Sequence, residues 1–150
     1  MNKFNFKLQG LLKVRIAREK QVKAELGVIL SEIQKNKDTI QALNNDIDEA
    51  YKNQEAMMDK AVNAKFLEFH PYYVKSKKAH IDVVEKQIDG LQSQYEKKIE
   101  ELKQKKADVK LIEKLKEKQM EKHVKYVEKK QQEAIEENHI MKGNREGIEF

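Results

Sequence analysis

Cysteine and tryptophan are missing from this 150-residue chain, and proline occurs once and glycine five times. The lack of cysteine removes any disulfide framework and any thiolate metal site, and agrees with a reducing, cytoplasmic setting. The scarcity of proline and glycine removes the usual helix breakers and turn formers over most of the length. Long apolar runs are missing too. The longest, such as Val28-Ile29-Leu30, fall far short of the roughly 20 residues that a membrane-spanning helix needs. The opening residues carry neither the continuous apolar segment nor the small-residue cleavage site of a secretory signal, so they read as mature sequence. With 38% charged residues and a mean hydropathy of −0.89, too little apolar material is left for a thick globular core.

The residues present are those of long, solvated helices: Ala, Glu, Lys, Leu and Gln dominate. Alternate steps of four and three from Leu8 pass through Leu12, Arg15, Glu19, Val22, Leu26, Ile29, Ile33, Asn36, Ile40, Leu43, Ile47, Ala50, Gln54, Met57 and Ala61. Most of these are apolar, and a 3.5-residue period sustained this far is the mark of a coiled-coil seam. The same stepping from Ile81 gives Val84, Ile88, Leu91, Tyr95, Lys98, Leu102, Lys105, Val109 and Ile112, a weaker second seam. Beyond it the apolar positions shift to Met120, Val124, Val127 and Ile135. That stutter unwinds a supercoil, so the last third should leave the close pairing or find another partner. Pro71 disfavours a helical His70 and suits the start of a helix. The expected fold is therefore all-α: one antiparallel coiled-coil hairpin with helix 1 over 5–67, a turn at 68–71, helix 2 over 72–140 and a frayed tail at 141–150. At 1.5 Å per residue each helix would run about 90 Å, a rod with both termini at one end.

Nothing in the sequence assembles chemistry. His70, His80, His123 and His139 share no helix face with further ligands at metal spacing, Ser31, Ser76 and Ser93 stand in no nucleophile turn, and no glycine-rich loop precedes a helix. The expectation is a protein without catalytic residues, cofactor or metal. Two features stand out instead. Tyr51, Phe66, Phe69, Tyr72 and Tyr73, with His70 and His80 close by, gather half of the chain's ten Phe and Tyr near the expected turn. Local packing accounts for some of them, but a two-helix tip has little interior. Phe69, Tyr73, Ser76 and His80 fall on one helical stripe and are the best partner-binding candidate. The second feature is charge. The excess of +5 is concentrated near the ends, with seven Lys or Arg against one Glu over 1–23 and thirteen Lys against seven acidic residues over 97–130. Interleaved glutamates such as Glu113, Glu117 and Glu121 fit solvated i,i+4 pairing. A basic surface for an acidic protein partner, phosphate contacts to nucleic acid and weak attraction to anionic lipid are the competing readings. A self-associating structural coiled coil is a further one.

The opening Phe4-x-Phe6-x-Leu8-x-x-Leu11-Leu12-x-x-Arg15-x-x-x-Glu19 resembles the start of the FliJ family of the bacterial flagellar type III export apparatus. Length, charged hairpin, aromatic region and the Lys-rich run from Glu113 through Tyr126 resemble that family from end to end. Near the end the chain departs from it, with Glu136-Glu137 and a sparse tail where the family has an Asp-Glu pair before a final basic segment. The resemblance implies a stalk that enters the pore of the hexameric export ATPase, touches the membrane-embedded export gate and escorts export chaperones. It also implies a cytoplasmic protein at the inner face of the cell membrane, serving motility and chemotaxis, with no nucleic acid as partner. Under it, Phe69, Tyr73, Ser76 and His80 would meet the gate, while Lys7, Lys13, Arg15, Arg18, Lys116 and Lys118 would enter the ATPase ring. A virulence-type secretion system would use an equivalent stalk.

Overall fold

The computed structural model describes residues 3–58 and 64–148. They form two helices, α1 over Gln9–Met58 and α2 over Ala64–Ile148, which pair antiparallel as an all-α hairpin. The expected seam is the contact surface. From Leu12 to Gln54 every position of the α1 stepping is buried or half-buried, and so is every position of the α2 stepping from Ile81 to Ile112. Leu8 and Met57 at the ends of the first stripe are exposed, and Ala61 lies outside the described residues.

By its contacts the chain divides into two compact units: Met1–Glu19 with Gln104–Phe150, and Lys20–Lys103. In the second unit Ile29 and Ile33 of α1 pack with Val84 and Ile88 of α2, with Ile40, Leu91 and Tyr95 against them. Val84 is only 3% exposed; burying an aliphatic side chain of this kind contributes about 1.5–3 kcal/mol. Ion pairs mark the register that the apolar seam sets. Lys98 on the α2 seam bonds Glu25 of α1 and, at 3.0 Å, Glu101 on its own helix. Further along α1, and equally far back along α2, Lys77 meets Asp46 at 3.3 Å. The Lys98 ammonium, through its hydrogen bond, holds the Glu25 carboxyl below its ordinary range, and Glu25 in turn raises Lys98.

In the first unit Phe6 and Leu12 pack with Val109 and Ile112, with Phe4 and Ile16 beside them. Phe6, just before α1, also accepts the Gln9 N–H at 3.1 Å through its carbonyl. The expected turn at 68–71 is overturned, because these residues are helical and Pro71 lies inside α2. The seam explains why: stepping back from Ile81 through Lys77 reaches Val74 and His70, both 6% exposed. Burial on both sides of Pro71 offsets the single backbone hydrogen bond that a proline forfeits. The expected bounds of helix 1 at 5 and 67 are overturned as well, because α1 begins at Gln9 and 64–67 belong to α2; residues 59–63 lie outside the described ones. Of the expected frayed tail at 141–150, the described residues are helical up to Ile148, where α2 ends; the final two residues lie outside the described ones.

Candidate docking surfaces

In the Lys20–Lys103 unit, the four residues singled out near the turn each precede a seam residue by one place: Phe69 before His70, Tyr73 before Val74, Ser76 before Lys77, His80 before Ile81. One residue turns a helix by about 100°, so the stripe rides on the shoulder of α2 beside its contact with α1. Phe69, Ser76 and His80 are exposed and Tyr73 is half-buried. Because α2 begins at Ala64, the stripe is one unbroken helical ridge, which a turn at 68–71 would have split. The Phe69 and Tyr73 rings lie 6.0 Å apart, tilted by 35°, and Phe69 is 63% exposed.

The neighbouring residues make this more than a row of rings. On one side, Asp46, Glu49 and Asn53 of α1, about one turn apart, line an open cleft with Phe69 and Tyr73 of α2, with Ala50 between them. Lys77 places its ammonium 5.2 Å over the Tyr73 ring while bonding Asp46. On the other side, Tyr51, Pro71, Lys75 and Lys78 line a shallow basic hollow, and Tyr72 stands 75% exposed. His70 is buried between the helices, edge-on to Tyr51 with ring centroids 5.3 Å apart. The acidic wall was not visible from the sequence, since only the register shows that Asp46 and Glu49 face the aromatic ridge. The side chain of Phe66 lies outside the described residues.

In the other unit, the six basic residues divide by role. Arg15 donates to the Asp108 carbonyl at 3.0 Å, and Lys116 donates to the Gln9 side-chain carbonyl at 2.8 Å while lying 6.0 Å from the Phe6 ring centroid. Both are half-buried in the pairing of α1 with α2. Lys7, Lys13, Arg18 and Lys118 are exposed and stand among Leu8, Leu11, Val14 and Leu115, which are exposed as well. Sequence spacing alone did not separate the two groups. From Glu128 to Arg145 every residue of α2 is exposed, including Ile135, Ile140 and Met141.

No group of three or more His, Asp or Glu side chains suited to a metal ion occurs among the described residues, and no described helix is long and apolar enough to cross a membrane. What the side chains offer is docking: exposed rings, a mixed acidic and aromatic cleft, and exposed lysines beside exposed leucines.

Comparison with known protein families gives a match to the model of the flagellar FliJ protein over residues 4–147. No curated protein and no solved structure matches the chain. A match that spans nearly the whole chain, over a two-helix hairpin, assigns it: the protein belongs to the FliJ family, and is a component of flagellar type III protein export.

Proposed function

We propose that this protein is the stalk of the export machine: it enters the hexameric export ATPase, touches the export gate and escorts export chaperones, at the cytoplasmic face of the cell membrane. The observation that carries this reading is the fate of the seam. Its apolar side chains are used within the chain, from Leu12 to Gln54 and from His70 to Ile112, so the surfaces left over are what the hairpin offers to partners. The aromatic ridge of Phe69, Tyr73, Ser76 and His80 is assigned to the gate. Lys7, Lys13, Arg18 and Lys118 are assigned to the ATPase ring, with Arg15 and Lys116 holding that end of the pairing together.

The mechanism is coupling without chemistry. An asymmetric hairpin inside a ring of identical subunits makes different contacts with each, and so biases the order of assembly and hydrolysis. Coupling free energies of this kind are about 1–3 kcal/mol. The test is the hydrolysis rate and hexamer population of the cognate ATPase with and without this chain. Stimulation that is lost when Lys7, Lys13, Arg18 and Lys118 are changed together to Gln supports the stalk role; an unchanged rate and unchanged hexamer population remove it. Deletion of the gene is expected to abolish swimming. Loss of virulence-factor secretion with swimming intact would instead place the protein in an injectisome.

A further inference from the structure

The cleft between Asp46, Glu49 and the aromatic ridge carries a more specific statement about its occupant. We infer that it receives an arginine or lysine side chain from a basic segment of a protein partner, seated between the Glu49 carboxylate and the Phe69 ring.

The chain already shows what this chemistry holds. Lys77 lies between a carboxylate and a ring, 3.3 Å from Asp46 and 5.2 Å over Tyr73. One turn further along α1 is Glu49, and one turn back along α2 is Phe69, so the carboxylate-and-ring arrangement is repeated at the other end of the cleft. The residue that would supply the second cation, one turn before Lys77, is Tyr73, which carries no charge. Glu49 forms no ion pair with a described residue, and Phe69 is 63% exposed. The second seat is therefore built like the first and lacks its ammonium. A guanidinium suits it well, because it stacks on a ring face while donating to a carboxylate.

Charge makes the inference selective. The chain as a whole is +5, so long-range attraction works against a basic peptide, and one that binds does so at a local acidic site. The opposite side of the same region, with Lys75 and Lys78 beside Tyr51, repels it. The partner's sign is thus read on one side of the hairpin only.

The inference takes from the docking reading only the identity of the partner, and the experiment keeps the two apart. Fluorescence anisotropy of the full chain with labelled arginine–serine and glutamate–serine repeat peptides is the first arm. The arginine peptide is expected to bind and the glutamate peptide not. Glu49→Gln and Phe69→Ala should each weaken binding by about threefold, Lys77→Gln should strengthen it by opening the first seat, and Glu55→Gln, which removes the same charge from an exposed position outside the cleft, should leave it unchanged. Both cleft positions stand at the surface, and circular dichroism confirms that the variants fold. Equal binding of the two peptides, or equal effects of Glu49→Gln and Glu55→Gln, overturns the inference. The second arm is co-purification with the soluble domain of the cognate export gate. Gate binding sensitive to Phe69→Ala and to Glu49→Gln supports the cationic seat; gate binding sensitive to Phe69→Ala but indifferent to Glu49→Gln overturns it while the docking reading stands. Binding of the arginine peptide without binding of the gate supports the seat and removes the gate as its partner.

Discussion

Between Lys20 and Lys103 the seam positions from Val22 to Gln54 and from His70 to Leu102 are buried or half-buried, whereas between Glu128 and Arg145 no residue of α2 is. The two stretches use much the same residues: isoleucines spaced along runs of Lys, Glu and Gln. What differs is the partner: with Arg15 opposite Asp108, Gln9 opposite Lys116 and Phe4 against His123, the antiparallel register uses up the first arm of the hairpin before Glu128, so no α1 residue stands across from the second stretch. A stripe faced by another helix is covered at every turn; one that outruns its partner leaves Ile135, Ile140 and Met141 in water. Burial in a thin hairpin thus depends on a helix standing opposite more than on composition.

The strongest way to break this comparison is to place a charge in each stretch. Val84→Asp buries an unpaired carboxylate and should cost about 3 kcal/mol or more, while Ile135→Asp should change stability by less than about 0.5 kcal/mol. Urea denaturation followed by circular dichroism measures both, and similar losses would show that the C-terminal stretch is packed after all. Next in size is Pro71→Ala. With Pro71 inside α2, restoring the backbone hydrogen bond should raise stability by about 1–3 kcal/mol; a neutral or negative effect would return the turn to 68–71.

Glycine sharpens the contrast at smaller scale. Gly27, Gly90 and Gly143 lie within the helices without positive φ, and an added Cβ meets nothing within 4 Å. Gly27→Ala and Gly90→Ala should each raise the unfolding free energy by about 0.5–1 kcal/mol. Gly143→Ala should add helical signal and leave the midpoint of the paired stretch where it is.

The smallest effect belongs to the Glu25–Lys98 pair, which is partly exposed and screened by solvent. Glu25 is lowered, so its contribution is present above the ordinary carboxyl range and is lost as pH falls through the lowered value. Lys98 is raised, so its contribution is present below the ordinary lysine range and is lost as pH rises through the raised value. Glu25→Gln should flatten the acid side of the stability profile at low salt. Glu25→Lys should destabilise the hairpin and Lys98→Glu should recover part of the loss; no recovery would mean that the two residues are not opposed.

The pairing was legible in the sequence because a seam is a local repeat, and Leu12 through Gln54 can be counted off one helix alone. The first turns of α2 were not legible because the rule that Pro71 sets against a helical His70 hides a stripe that continues back through Val74 to His70. The acidic wall of the cleft was not legible at all. Asp46 and Glu49 are two acidic residues among many until the register sets them beside Phe69 and Tyr73. The division of the basic residues was hidden for the same reason, since only the antiparallel neighbour tells that Arg15 reaches Asp108 while Arg18 faces water.

The bare end of α2 bears on how heat acts on the chain. A helix wetted on every side is held by its own backbone and by contacts such as Lys130 with Glu133 at 3.7 Å and Lys130 over the Tyr126 ring at 5.7 Å, and single helices of that kind are marginal in water. It should loosen gradually on warming, well below the temperature at which Tyr95 and its neighbours come apart in one step. Ellipticity and tyrosine emission would then trace two different curves, and a lone melting temperature would describe the zipped portion of the molecule only.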